Sequence, residues 1–462
     1  MVGQQQQQQH HYHHHHQAVD GKDTASRVVT RVNSQTYQTY QYHLLLVAFV
    51  AFLYGLYYQI SNVYHEYATR HSKHHHQHDM YFSSFVPSTT SSHAPASSDA
   101  KYTRSVFLPY VHRFGTKGVP LVWVTMHGGK EDVRIHMPVD TGSTGLLIGA
   151  PLLPGIDPQA GTPGRQYLSS SNIVYVGRYL DLKLTFHGIG DVSAGARVPV
   201  LIVDKSWMCP WYDPLKHGFE CPLGPEGQHP VERDVSGITY MGVGFGRNKN
   251  ADGQRTAASW GNPFLNIDSI NGTRLRPEEI KAGYVVSTKG IQLGLTRGNT
   301  RGYNFMELER GIAHAVDARD WAMPRMQFRV NGQRSIPGSA LIDTGIAQMY
   351  IRAEDSMPLP EVVIKNPKEG GTPTVQRVKN GTRIAIDFGA WASEELCEVA
   401  ASYSFEVGQD SMMAPSYVVP GKQEPPPYVN TGRNFLKGCS IAFDAVDGRL
   451  GFRPVQRFQS MI

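Results

Sequence analysis

An all-β protein, built in one or two sheet-based lobes, is what this sequence predicts, and three observations carry that expectation. Of 462 residues, 46 are glycine and 29 proline while only 18% are charged, a balance suited to short strands joined by turns rather than to helices rich in Ala, Glu, Lys and Leu. Beyond Tyr102, runs of alternating and β-branched residues recur, among them Leu121 to Met126, Val133 to Val139, Ile173 to Phe186 and Val198 to Val203, and Gly, Pro or Asn interrupts them. Long helical periodicity is absent, which excludes a coiled coil. The third observation is that Asp-Thr-Gly occurs twice, each time at the end of an apolar strand.

The chain opens with residues that cannot build such a fold. Residues 1–42 read as a disordered tail, with Gln4 to Gln9 followed by His10, His11 and His13 to His16. A second run lies at His74, His75, His76 and His78, yet no Cys or carboxylate spacing defines a metal site beside either run, and no metal or other cofactor is expected. Leu44 to Tyr58 carries no charge. A full crossing needs about 20 residues, and Tyr42, Tyr54, Tyr57 and Tyr58 can extend this run into the interfaces. We read residues 43–60 as a transmembrane signal anchor, because the long preceding tail argues against a cleaved leader. Residues 61–104 read as a disordered stalk, rich first in His and then, from Ser83 to Ala100, in Ser, Thr and Pro.

Flanking charge does not orient this anchor, since Arg27 and Arg31 precede it and Arg70 and Lys73 follow it. The sequons at Asn271 and Asn380, with cysteines able to pair, place the long C-terminal part in a lumenal or extracellular space. Four cysteines exclude a disulfide-framework miniprotein; Cys209 with Cys221 and Cys397 with Cys439 is the simplest of three connectivities. A formal charge of +5, from 44 basic and 39 acidic residues, is too small for a nucleic-acid surface. Trp207, Trp260, Trp321 and Trp391 read as core residues.

Asp140-Thr141-Gly142 follows Met137-Pro138-Val139, and Asp343-Thr344-Gly345 follows Ala340-Leu341-Ile342. A given tripeptide is expected at roughly two positions in ten thousand, so two copies in matching contexts are rare by chance. A carboxylate on a tight turn, with glycine to let a second backbone approach, is a means of bringing two Asp side chains together. Two such carboxyls in contact hold one proton between them, and the pair can act as acid and base on a shared water.

These residues resemble the catalytic turns of the pepsin-like aspartic peptidases, and the resemblance runs over roughly the last 350 residues. Tyr240 to Gly246 and Val429 to Leu436 are similar to the family's glycine-containing segments behind each turn, and Ser440 to Phe452 to its last strands. The resemblance implies a bilobal fold, with an N-terminal lobe at 105–290, a C-terminal lobe at 291–462 and a catalytic cleft between them. It implies an aspartic endopeptidase, expected to be monomeric, with a peptide or protein substrate, Asp140 and Asp343 as the catalytic pair, and Thr141, Gly142, Ser143, Thr344 and Gly345 as turn support. Two departures stand out. Ile346 replaces the hydroxyl that would donate to Asp343, so the pair is expected to be harder to ionise; Leu147 replaces the family's tryptophan behind the flap. Tyr167, before the tip of a hairpin at Gln166 to Asn172, is the flap candidate. A catalytically weak or inactive binding module on a membrane is the alternative.

Overall fold

The β-rich pattern becomes structure almost without exception: regular segments are strands and short 3-10 turns, with no α-helix among the described residues. The computed structural model describes residues 84–87, 101–115, 118–245, 259–367, 372–391 and 397–455. Tail and anchor both lie outside them, as does most of the stalk; among the described residues no helix is long and apolar enough to cross a membrane. From Tyr81 onward the chain forms one compact unit.

Three sheets make up most of this unit. A ten-stranded sheet is built around the long hairpin Ile173–His187 and Ser193–Met208, flanked on one side by Leu121–His127 and Val133–Pro138 and on the other by Thr144–Gly149 and Thr239–Val243. Alternation fixes its inner face: Val122, Val124 and Met126 point inward from one strand and are fully buried. A nine-stranded sheet runs in the order Ser84–Pro87, Cys397–Glu406, Arg383–Trp391, Arg325–Val330, Gly338–Leu341, Tyr428–Asn430, Met349–Arg352 and Val418–Pro420, with Gln333–Arg334 paired to Arg325–Val330 off this path. A six-stranded sheet draws Val106–Pro109 from the front of the chain and its other strands from Lys281 onward. Phe388, Phe435, Phe452 and Tyr403 pack edge-on or tilted at centroid distances of 5.0–6.5 Å, each ring contributing about 1.5–3 kcal/mol through burial.

Composition misjudged three features. Ser84–Pro87, placed in the stalk, pairs antiparallel with Cys397–Glu406, because an edge strand needs backbone partners and one apolar anchor rather than a core of its own. Cys209 and Cys221 form the expected disulfide, whereas Cys439 is a buried free thiol, so the pairing with Cys397 is not made. Those two cysteines begin strands of different sheets. Trp260 is 38% exposed, carried outward by the 3-10 turn Ser259–Gly261, whose Ser259 and Gly261 face inward instead. Trp207 and Trp321 are half-buried, and the Trp391 side chain lies outside the described residues.

Candidate active site

Each Asp-Thr-Gly turn closes on a segment from far along the chain. Asp140 N–H donates to the Met241 carbonyl at 3.0 Å, and Val243 N–H donates back to the Asp140 carbonyl at 2.8 Å. Glycine is required here: a Cβ on Gly242 would lie 2.4 Å from Thr144 N, and one on Gly244 2.1 Å from the Thr141 carbonyl oxygen. In the second half Gly338–Leu341 runs parallel to Tyr428–Asn430, and Thr431 N–H donates to the Leu341 carbonyl at 2.9 Å.

The two turns then lock to each other. Thr141 N–H donates to Thr344 Oγ1 at 2.9 Å, and Thr344 N–H to Thr141 Oγ1 at 3.1 Å. Both hydroxyls donate onward, Thr141 to the Ile342 carbonyl at 2.6 Å and Thr344 to the Val139 carbonyl at 2.5 Å. Both threonines are buried, and this reciprocal pattern satisfies every polar atom it uses. It also presses the acids together, since a Cβ on Gly142 would lie 2.2 Å from Asp343 Cγ and one on Gly345 2.7 Å from Asp140 Oδ1.

The carboxyls are held asymmetrically. Asp140 is half-buried and accepts from Gly142 N–H at 2.8 Å and from the Ser143 hydroxyl at 2.6 Å. Asp343 is buried and accepts from Gly345 N–H at 2.6 Å. Its other oxygen accepts from Asn430 Nδ2, also at 2.6 Å. The donor that Ile346 cannot supply therefore comes from a residue 87 positions away, which corrects the expectation of a missing partner. Arg433 reinforces this corner: its guanidinium donates to the Thr344 and Gly345 carbonyls at 3.2 and 3.1 Å. Burial, and next the charge of Asp140, push the Asp343 carboxyl up to about 7, against the pull of Asn430 and Gly345.

Around this centre, Leu147 is fully buried in a cluster with Tyr175, Tyr179 and Leu201, so it packs beneath the Thr162–Leu168 and Ile173–His187 hairpin. Tyr167 lies on that hairpin with its ring 5.2 Å from Tyr212 and its hydroxyl donating to Asn172 Oδ1 at 3.2 Å. It belongs to a cluster formed with the Cys209–Cys221 loop. The adjacent residue faces the other way: buried Gln166 donates through Nε2 to the Thr144 carbonyl at 2.9 Å, next to the first Asp-Thr-Gly turn. Sequence reasoning passed over Gln166 and Asn430. Strand parity alone could have flagged the first; the second lies in the segment Val429 to Leu436 that the sequence singles out, but its contact with Asp343 has no local signal.

Neither a protein-family model nor a curated protein matches this chain.

Proposed function

We propose that this chain is an aspartic-type endopeptidase with a bilobal pepsin-like architecture, its ten-stranded and nine-stranded sheets serving as the two similar lobes. The observation that carries the reading is the pairing of Asp140 with Asp343 through reciprocal Thr141 and Thr344 hydrogen bonds, with one carboxyl raised to about 7. Such a pair holds one proton near neutrality. A water between the carboxyls attacks the scissile carbonyl as its proton passes to the ionised member, while the protonated member donates to the carbonyl oxygen. No covalent intermediate forms. Asp343, buried and raised, holds the proton; Asp140, with the Ser143 hydroxyl and Gly142 N–H as donors, carries the charge.

One observation favours a non-catalytic binding module instead: Tyr167, the flap candidate, is engaged with Tyr212 and Asn172. Full-length protein incubated with a mixed peptide library across a pH range, with and without pepstatin, distinguishes the two. Cleavage that pepstatin blocks and that Asp140→Asn and Asp343→Asn both abolish, with melting curves still cooperative, supports the peptidase. Binding without cleavage at every pH supports the module. We further propose that Leu44 to Tyr58 anchors the chain in a membrane with the peptidase part lumenal or extracellular; Asn271 and Asn380 are both exposed and open to glycosylation.

A further inference from the structure

The outer edge of the nine-stranded sheet carries a strand whose connection to the rest of the fold is peculiar. Ser84–Pro87 is separated from the next strand, Val106–Pro109, by 18 residues, and the two strands join different sheets. Its register is defined along its whole length, Ser84 opposite Ser404, Phe85 opposite Tyr403, Val86 opposite Ser402 and Pro87 opposite Ala401. At one end the hydroxyls of Ser84 and Ser404 share a hydrogen bond of 2.8 Å. At the centre Phe85 turns inward, its ring 5.6 Å from Phe435 in an edge-on contact and 6.1 Å from Phe452. Gly438 lies beside it, where a Cβ would meet Met413 Cε at 2.3 Å and stand in ordinary contact with Phe85 Cβ at 3.4 Å. Val86 points out and is 56% exposed. Proline ends the strand by withdrawing one backbone donor.

An extended segment that adds one strand to a sheet edge, with main-chain bonds for affinity and a single side-chain pocket for selectivity, is a peptide-recognition mode in its own right. We infer that the edge of Cys397–Glu406, with the socket formed by Phe435 and Phe452 beside Gly438, is a strand-acceptor site for an extended Ser-Phe-Val-Pro segment, filled in cis by Ser84–Pro87. The acceptor is complete without covalent continuity to its occupant. Cutting the chain between the two strands therefore leaves the N-terminal part bound to the body, and a peptide of the same sequence exchanges with it. This holds whether or not the protein cleaves peptides, so its test is separate from that of the peptidase reading.

The experiment uses full-length protein in detergent, with a recognition site for a sequence-specific protease inserted between residues 88 and 100. After cleavage the N-terminal part is captured through its own histidine run, His10 to His16, on nickel resin. The body is expected to remain on the resin, and Phe85→Asp to weaken its retention by roughly 100-fold or more. A soluble peptide containing Ser-Phe-Val-Pro is expected to elute the wild-type body, while the same peptide with Asp for Phe leaves it in place. The peptide arm reads the site even if the Phe85 variant folds poorly. A wild-type body that washes off after cleavage, equal retention by Phe85→Asp, or failure of the Ser-Phe-Val-Pro peptide to elute overturns the inference.

Discussion

Asn430 holds the position from which the acid-base balance of the pair is set. Its Nδ2 stabilises the charged form of Asp343, so Asn430→Ala should raise the Asp343 carboxyl above its value of about 7. The basic limb of the kcat/KM profile, where the pair loses its shared proton, should then move up by about one pH unit. Ile346→Thr should move it little, since the acceptor oxygen is already served; an unmoved limb in Asn430→Ala would sink this assignment of the donor. The same shift has a sign in stability. Asp343 has a folded-state value above the unfolded one, so its protonated form is favoured by folding; that contribution is complete below about pH 4 and is lost as pH rises through about 7. Asp343→Asn should accordingly raise Tm at pH 8 and leave it nearly unchanged at pH 4, which differential scanning calorimetry can read. The two aspartates were legible because a strand followed by Asp-Thr-Gly is a local pattern. Asn430 was not, because its role exists only once Tyr428–Asn430 lies beside Gly338–Leu341.

At the scale of the turns and the strands behind them, the threonine lattice is cooperative. Thr141→Val or Thr344→Val leaves buried N–H and C=O groups without partners, and each should cost about 2 kcal/mol in chemical denaturation. The double variant should cost less than the sum, because the two hydroxyls meet at 3.5 Å and either change alone already removes that contact; strict additivity would mean that the turns do not act as a unit. Gly142→Ala is harsher, since its methyl would fall onto the Asp343 carboxyl, and loss of the cooperative transition or of the paired geometry is expected. Strand positions were readable from alternation, as in Leu121–His127. The edge strand at Ser84–Pro87 escaped because its flanks are Ser, Thr and Pro, and a single phenylalanine in such surroundings gives no periodic signal.

At the scale of the whole molecule, one buried charge cluster ties strands of the six-stranded sheet together. Lys281 and Asp444 are each 1% exposed and 2.8 Å apart, and Asp447 and Arg449 complete the group at 2.6–2.8 Å. Lys281→Ala leaves buried Asp444 with Arg449 as its remaining cation and should destabilise by about 3 kcal/mol, whereas a Lys281→Met variant paired with Asp444→Leu should recover much of that loss in urea titrations. The all-β class was readable from composition and turn residues. Which strands share the six-stranded sheet was not, for it joins Val106–Pro109 to strands nearly two hundred residues later. The threonine lattice has a temporal counterpart. Its bonds span 203 residues, so at a synthesis rate of about 5–20 residues per second the first aspartate emerges roughly 10–40 s before its partner exists. During that interval the nascent chain carries half a site, with its Thr141 hydroxyl and turn amides facing solvent and no carboxyl opposite. Whatever chemistry the assembled pair performs is thus withheld from the protein's own birthplace until Asp343 has been made and folded against Asp140.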